Sequence, residues 1–336
     1  MKTKKTRLAR RHILGSLLCL GLGLGHGFIL PAIAQAAEFP DRPITLIVGF
    51  SPGGSNDITA RAIAEPLSRK LGVSVVVENK AGAAGMIATN DLARSKPDGY
   101  TLMVSSASPL VITPHTHDNV PYDPLKDFQP ISLIGITPET MAVNPRVPAD
   151  DLQSLVKLAK DGKLSVASSG TGGLPHLTIE LFRSAAGGQV VHVPYKGAAP
   201  AVTDTLAGHV DAIVVDLPAV YKHIESGSLK GIAMANVNRS EFLPDLPTSG
   251  EQGMPSFVGV NWIGLIGPRN LPEDITRKLH EGVLEAVQDP KVKATLAAAA
   301  VEVSTSDSPE AYGKFIEEEF EKWGRIVKEA DIDTKQ

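Results

Sequence analysis

Short apolar, β-branched runs alternate with helical patterns along most of this chain, and that alternation constrains its fold more than any other feature. Ile44 to Phe50 reads as a strand. Ser51-Pro-Gly-Gly-Ser-Asn56 breaks it, and a helical pattern follows with Ile58, Ala62, Leu67 and Leu71 on one side. Val73 to Glu78 reads as a second strand, Ile87 to Leu92 as a short helix and Tyr100 to Ser105 as a third strand. After a long apolar stretch, Ile131 to Val143, interrupted at Pro138, the pattern restarts. A helix (Leu152 to Lys160), a strand (Leu164 to Ser168), a second glycine turn (Gly170-Thr-Gly-Gly173) and a helix (Leu177 to Ala185) follow one another. Val190 to Val193, Ala212 to Asp216 and Gly231 to Ala235 read as further strands, separated by helices at Ala199 to Ala207 and Ala219 to Glu225. Apolar strands alternating with helices belong to a parallel sheet covered on both faces. The expected class is therefore α/β, with two doubly wound units of similar size and no sequence repeat relating them.

Neither crossing between the units carries a flexible Gly/Ser linker. Paired strands near Ile136 and near Gly259 to Trp262 are expected to run between them as a hinge. Beyond the strand Trp262 to Ile266 the chain reads as helical: Pro272 to Val287, Pro290 to Ala298 and Pro309 to Ala330. Phe315, Ile316, Phe320, Trp323 and Val327 recur at helical spacing, which marks a docked amphipathic helix returning to the first unit. The expected lobes are 37–136 plus 260–336, and 137–259.

The N-terminus has a different character. Met1 to His12 holds six cations and no acid, Ile13 to Ile33 carries no formal charge, and Ala34-Gln35-Ala36 follows. Basic, then apolar, then A-x-A is the order of a secretory signal peptide, with cleavage expected after Ala36. Gly21, Gly23, Gly25, Gly27 and Pro31 suit the alternative, an uncleaved anchor, poorly. Arg10-Arg11 leaves the general and twin-arginine export routes both open. Removing six cations and no acid moves the net charge from −4 to −10. It also removes Cys19, the only cysteine, so the exported chain has neither a disulfide nor a thiol nucleophile. An acidic chain without a basic face is not expected to bind nucleic acid.

The two glycine turns, Ser51 to Asn56 and Ser168 to Gly173, each link a strand end to a helix start. Unpaired N–H groups at a helix start attract anions, and glycine lets an anion approach the backbone. In open parallel sheets ligands sit beyond the carboxyl ends of the strands, so facing turns suit one carboxylate or dicarboxylate in a shared cleft. Walker A, G-x-G-x-x-G and H-E-x-x-H patterns do not occur. His115 and His117 lack a nearby third ligand and read as part of a solvated loop. His176 and His192 read as core or rim histidines, and Glu317 to Glu319 as a wet helix face. No metal or cofactor is expected.

Six motifs in order then carry a resemblance. They are Phe50-Ser-Pro-Gly-Gly-Ser-Asn-Asp-Ile-Thr-Ala-Arg61, Val77-Glu-Asn-Lys-Ala-Gly-Ala-Ala-Gly85, Asp98-Gly-Tyr-Thr-Leu102, His192-Val-Pro-Tyr-Lys-Gly197, Gly208-His-Val-Asp211 and Pro244-Asp-Leu-Pro-Thr248. The chain resembles the substrate-binding receptors of tripartite tricarboxylate transporters, the Bug family, from about residue 38 onward. That resemblance implies a bilobal periplasmic binding protein fold of the type II kind, without enzymatic activity. It implies a monomer that delivers a small carboxylate (dicarboxylate, tricarboxylate, aromatic carboxylate or amino acid) to membrane permease subunits. It places the ligand among Ser51, Pro52, Gly53, Gly54, Ser55 and Asn56; Ser105, Ser106 and Ala107; Ser168, Ser169, Gly170, Thr171 and Gly172; and His176 and Asp216. Ala88, Leu174-Pro175 and Asp216 depart from the family pattern. An acid at 216 would repel a second carboxylate and attract an ammonium. Capping of a backbone turn is the alternative role for it. A ligand-sensing adaptor for a membrane kinase, or a secreted hydrolase pairing Ser168 or Ser169 with His176, are the alternative functions.

Overall fold

The computed structural model describes residues 39–329; the segment read as a signal peptide lies outside the described residues. Three parallel strands, β1 (Ile44–Val48), β2 (Val75–Asn79) and β3 (Thr101–Ser106), open the structure, with helices α1 (Ser55–Leu71) and α2 (Met86–Ala93) between them. A turn of π-helix, Ser108–Ile112, and a short helix α3 (Thr113–Thr116) lead to β4 (Phe128–Val143), a 16-residue strand. Then come α4 (Leu152–Asp161), β5 (Lys163–Ser168), α5 (Leu174–Ala186), β6 (Gln189–Pro194), α6 (Ala198–Ala207), β7 (Ala212–Asp216), α7 (Leu217–Glu225) and β8 (Lys230–Ala235). The chain returns through β9 (Val260–Pro268) and ends with α8 (Glu273–Ala286), α9 (Pro290–Ala298), β10 (Glu302–Val303) and α10 (Pro309–Glu329).

The strand order is β2-β1-β3-β9-β4-β7-β5-β6, with β8 and β10 also paired to β4. Both strand sets thus share β4 rather than being joined by a linker. Ile136 of β4 lies opposite Trp262 of β9, so the two stretches expected to cross between the sets lie side by side.

Alternation along the strands divides the core, because successive side chains point to opposite faces. Ile44, Leu46, Val48, Leu102 and Val104 meet α1 and α8 on one face, through Ile63, Leu67, Leu279 and Val283. Ile47 and Met103 point the other way, toward α2 and α10. In the second set Val143, Leu164, Val166, Ala212 and Val214 face α4 and α5, while Ala142, Ala167, Ile213 and Val215 face α6 and α7. This two-sided burial is why these strands are apolar throughout. As expected, α10 docks on the first set: Tyr312 and Phe315 meet the fully buried Trp262 ring edge-on at 5.9 and 5.5 Å.

Three expectations are corrected. Pro138 does not interrupt β4; it lies where the partner changes from β9 to β7 and β8, a position that makes little demand on the N–H that proline lacks. The buried face of α1 is Ala60, Ile63, Ala64, Leu67 and Leu71, with Ile58 and Ala62 only half-buried. His115 and His117 are not in a solvated loop. His115 is half-buried, with Nε2 2.9 Å from the Phe320 carbonyl of α10, and the His117 ring lies against Gly172.

Candidate functional site

The carboxyl ends of both parallel strand sets point into one cavity. Its walls come from Phe50, Gly54, Ser55 and Asn56 after β1, Ser106 and Ser108 after β3, Ser169 after β5, Pro175 of α5, Ala198 of α6 and Asp216 at the end of β7. Glu139 of β4 and Asn261 of β9, on strands antiparallel to their neighbours, complete it and leave a tight cavity of about 20 Å³. A second space of about 240 Å³ shares Phe50 and Ser169 with the first and is bordered by Ala84, Gly170, Thr171, Tyr195 and Lys196.

Four helices begin at the inner cavity, and in none does the N-cap residue's own side chain cap the first turn, although at α5 the Ser108 hydroxyl accepts the Leu174 N–H at 3.0 Å. Their N-cap residues are Gly54 for α1, Gly173 for α5, Gly197 for α6 and Asp216 for α7, and no cap side chain accepts a first-turn N–H. The first-turn amides of α1, α6 and α7 and the positive ends of all four helix dipoles therefore converge there. The one acid in these first turns, Asp57, is turned away. It accepts from the Gly53 N–H, Arg61 Nε and Asn79 Nδ2, each at 2.9 Å. Burial raises its pKa, but hydrogen bonds from Arg61, Gly53 and Asn79 outweigh that and hold it below the usual range.

The opposite wall is acidic. Asp216 and Glu139 lie directly across from each other on β7 and β4, and are 7% and 1% exposed. Ser55 Oγ donates to Asp216 Oδ2, and Asn261 Nδ2 approaches the same oxygen at 3.5 Å. The Asn261 carbonyl oxygen in turn accepts from the Ala107 N–H at 3.3 Å. Glu139 Oε2 is buried with no hydrogen-bond partner. Burial pushes Asp216 up to about 6. It pushes Glu139 well above the carboxylate range, and Asp216 beside it adds to the shift.

Of the residues expected in the site, Gly54, Ser55, Asn56, Ser106, Ser169 and Asp216 line the inner cavity, and Gly170 and Thr171 line the outer space with Ser169. The others hold the turns in shape. Pro52 and Gly53 are exposed, Ser105 is fully buried in β3, and the Ala107 N–H orients Asn261. Ser51 packs against Gly197, where a Cβ would lie 2.1 Å from Ser51 Oγ and φ is +139°. Gly172 is confined likewise: a Cβ would lie 1.9 Å from the His117 ring. His176 Nδ1 accepts from the Gly172 N–H at 2.9 Å, so it clamps the second turn, and its ring stacks on His192 at 3.8 Å. Ser168 Oγ is fully buried, bonded to His192 Nε2 at 2.6 Å and bridging to Gly170, and neither residue lines the cavity. Burial pushes His192 down to about 3.

Phe50, Ser108, Glu139, Pro175, Ala198 and Asn261 were not anticipated. Phe50 and Ser108 adjoin expected segments, and Pro175 and Ala198 follow from helices that start earlier than their apolar pattern indicates. Glu139 and Asn261 had one weak signal each, a lone acid in one largely apolar strand and a lone amide in another.

Among the described residues, no cluster of His, Cys, Asp or Glu is placed to hold a metal, and no helix is long and apolar enough to cross a membrane. The chain is 37% identical over 311 residues to protein BugT of Bordetella pertussis, covering 91% of this chain and 94% of BugT. A solved R. palustris protein with adipate superposes with a TM-score of 0.83 at 30% identity, over 88% of this chain and 99% of that one. MatC from Rhodopseudomonas palustris, with bound malate, gives 0.81 at 28% identity over 86% and 100%. These likenesses establish the periplasmic binding protein fold. Residues 59–332 match the tripartite tricarboxylate transporter family receptor, and the chain belongs to that family.

Proposed function

We propose that this protein is an exported receptor that captures a small carboxylate in the cavity between its two strand sets and delivers it to the membrane subunits of a tripartite tricarboxylate-type transporter. One observation carries the reading: four helices start at a single cavity, and the amide ends of α1, α6 and α7 are uncapped there. Such ends bind a carboxylate through backbone N–H groups, a mode compatible with many ligand bodies. Adipate and malate in two solved relatives agree with it. The receptor is non-catalytic on this reading: Ser168 is bonded to His192 away from the cavity wall, and the His176 nitrogens face the Gly172 N–H and Glu180 rather than Ser169.

Residues 37–136 with 260–336, and 137–259, act as the two lobes, hinged where β4 and β9 run together. A carboxylate that bridges amides of both lobes favours closure because it makes more contacts in the closed form than in the open one. The first 36 residues are removed on export, and the receptor works in the periplasm.

Native mass spectrometry of the protein purified from its own periplasm tests both parts. The expected result is a chain beginning at Ala37 with an adduct of about 100–250 Da that is lost on unfolding. A bare protein that no mono-, di- or tricarboxylate and no amino acid stabilises in a thermal-shift screen would overturn the receptor reading. A chain retaining residues 1–36 would overturn the export reading.

A further inference from the structure

We propose that the ligand carries a protonated amine as well as a carboxylate, and that Asp216 and Glu139 together receive that ammonium; this rests on the receptor reading above. The charge of the inner cavity is the starting point. No lysine or arginine is among its lining residues, and its only ionisable side chains are these two acids. They occupy registered positions on adjacent strands and share one wall of the cavity. A ligand carboxylate against that wall would meet like charge at short range, in a site where little water remains to screen it.

The hydrogen bonding points the same way. Asp216 is partly satisfied by the Ser55 hydroxyl and, more distantly, by the Asn261 amide. Glu139 Oε2 is buried on the cavity wall with no partner at all. A buried carboxylate oxygen without a donor is costly, and a cation bearing N–H groups resolves it while neutralising its neighbour. A primary ammonium offers three donors, enough to serve both acids at once. A quaternary ammonium offers none and would leave Glu139 Oε2 as it is. The amide ends at Gly54 to Asn56 and at Ala198 remain for the carboxylate. The ligand class is therefore an amino acid or another small amino-carboxylate, held between an amide wall and an acid wall.

The opposite use of two buried acids is to stay protonated and donate to a ligand carboxylate. The two arrangements differ in the sign of their pH dependence. An ammonium needs ionised Asp216, whose pKa stands at about 6, so affinity rises up to tenfold per unit as pH rises toward 6 and does not fall above it. Proton donation to a carboxylate requires affinity to fall over the same range. The other groups near Asp216 do not reverse this sign. Glu139 on β4 titrates higher, and Ser55, Asn56 and Asn261 are uncharged. Asp57 on α1 is paired with Arg61. On the second set, His192 is neutral throughout the range, and Glu180 of α5 is paired with Arg183. Lys196 borders the outer space rather than the inner cavity.

Calorimetric titration of the mature receptor with matched pairs tests the proposal: aspartate against succinate, glutamate against glutarate, and 2-aminoadipate against adipate. In the pair whose length fits, the amine should bind at least tenfold more tightly, and more tightly at pH 7 than at pH 5. Asp216→Asn should bring the two members of that pair within about threefold, and Glu139→Gln should weaken the amine by about tenfold. Melting temperatures of both variants that equal or exceed the wild type exclude misfolding as the cause. Equal or tighter binding of the des-amino member, or affinity that falls as pH rises, overturns the proposal and leaves the carboxylate receptor intact. If no pair binds, the ligand retained by the purified protein decides: a basic nitrogen in it supports the proposal, and its absence overturns it. If nothing binds and nothing is retained, the receptor reading falls as well.

Discussion

The four helices that begin at the cavity and two that begin away from it, α4 and α9, solve the same problem in opposite ways, while α2 and α8 also start without a side-chain cap. α4 and α9 start on Asp151 and Asp289, whose carboxylates accept first-turn N–H groups; at α4 the Ser154 hydroxyl returns the bond to make a closed box. α1, α5, α6 and α7 start on three glycines and an aspartate that makes no capping bond. A side-chain cap contributes about 1 kcal/mol to a helix. What sets the cavity apart is that four such ends gather at one place, where the first-turn amides of α1, α6 and α7 stay available. Stability and binding thus draw on the same N–H groups, and the chain assigns them to one use or the other by the residue at the cap.

Substitutions at the two kinds of helix end should separate these uses. The largest effect is expected at Gly197. Alanine there would place Cβ 2.1 Å from Ser51 Oγ and 3.0 Å from the Ser51 nitrogen, on a backbone at φ +139°. Strain and overpacking together should cost about 4 kcal/mol, seen as a lower denaturant midpoint, with loss of any carboxylate-induced thermal shift. A variant as stable as the wild type would mean that Gly197, at the start of α6, does not touch Ser51 in solution.

Asp216 should move stability the other way. Its pKa is raised from 3.8 to about 6, so its protonated form is favoured by folding. Its contribution is fully present below about pH 4, declines as pH rises through 6 and is absent at 7. Asp216→Asn should therefore stabilise the empty protein at pH 7 by about 3 kcal/mol, taking a shift of roughly two units, and by almost nothing at pH 4. Chemical denaturation at the two pH values checks this, and equal effects at both would show that Asp216 is not desolvated. The smallest change is expected at a capped end. Asp151→Ala should cost about 1 kcal/mol and leave ligand affinity unchanged, and a loss of affinity there would erase the distinction between the two classes of helix end.

Much of this architecture was legible before folding. β1, β3, β7 and the helices between them follow from local periodicity and from glycine, which act over a few residues. The two glycine turns could likewise be recognised as helix starts, and both do border the site. Pro138 misled because a proline usually ends a strand; here it lies where β4 exchanges one partner for others, and that exchange involves residues more than seventy positions away. His115 misled for a similar reason: a short polar stretch reads as loop, and only the arrival of α10 covers it.

Glu139 shows the same limit inside the site. Within Ile131 to Val143 it is a single acid in an apolar strand, and nothing nearby in sequence indicates which side of the sheet it faces or what it meets. Its place opposite Asp216 depends on the antiparallel register of β4 with β7, and Asn261 is brought to the same point by β9. Local pattern determined the α/β class, the order of elements and the amide-bearing turns, because propensity and periodicity are properties of neighbouring residues. Tertiary pairing alone decided that an acid wall faces those amides, because strand register joins residues that are distant in the chain and desolvation then sets their charge.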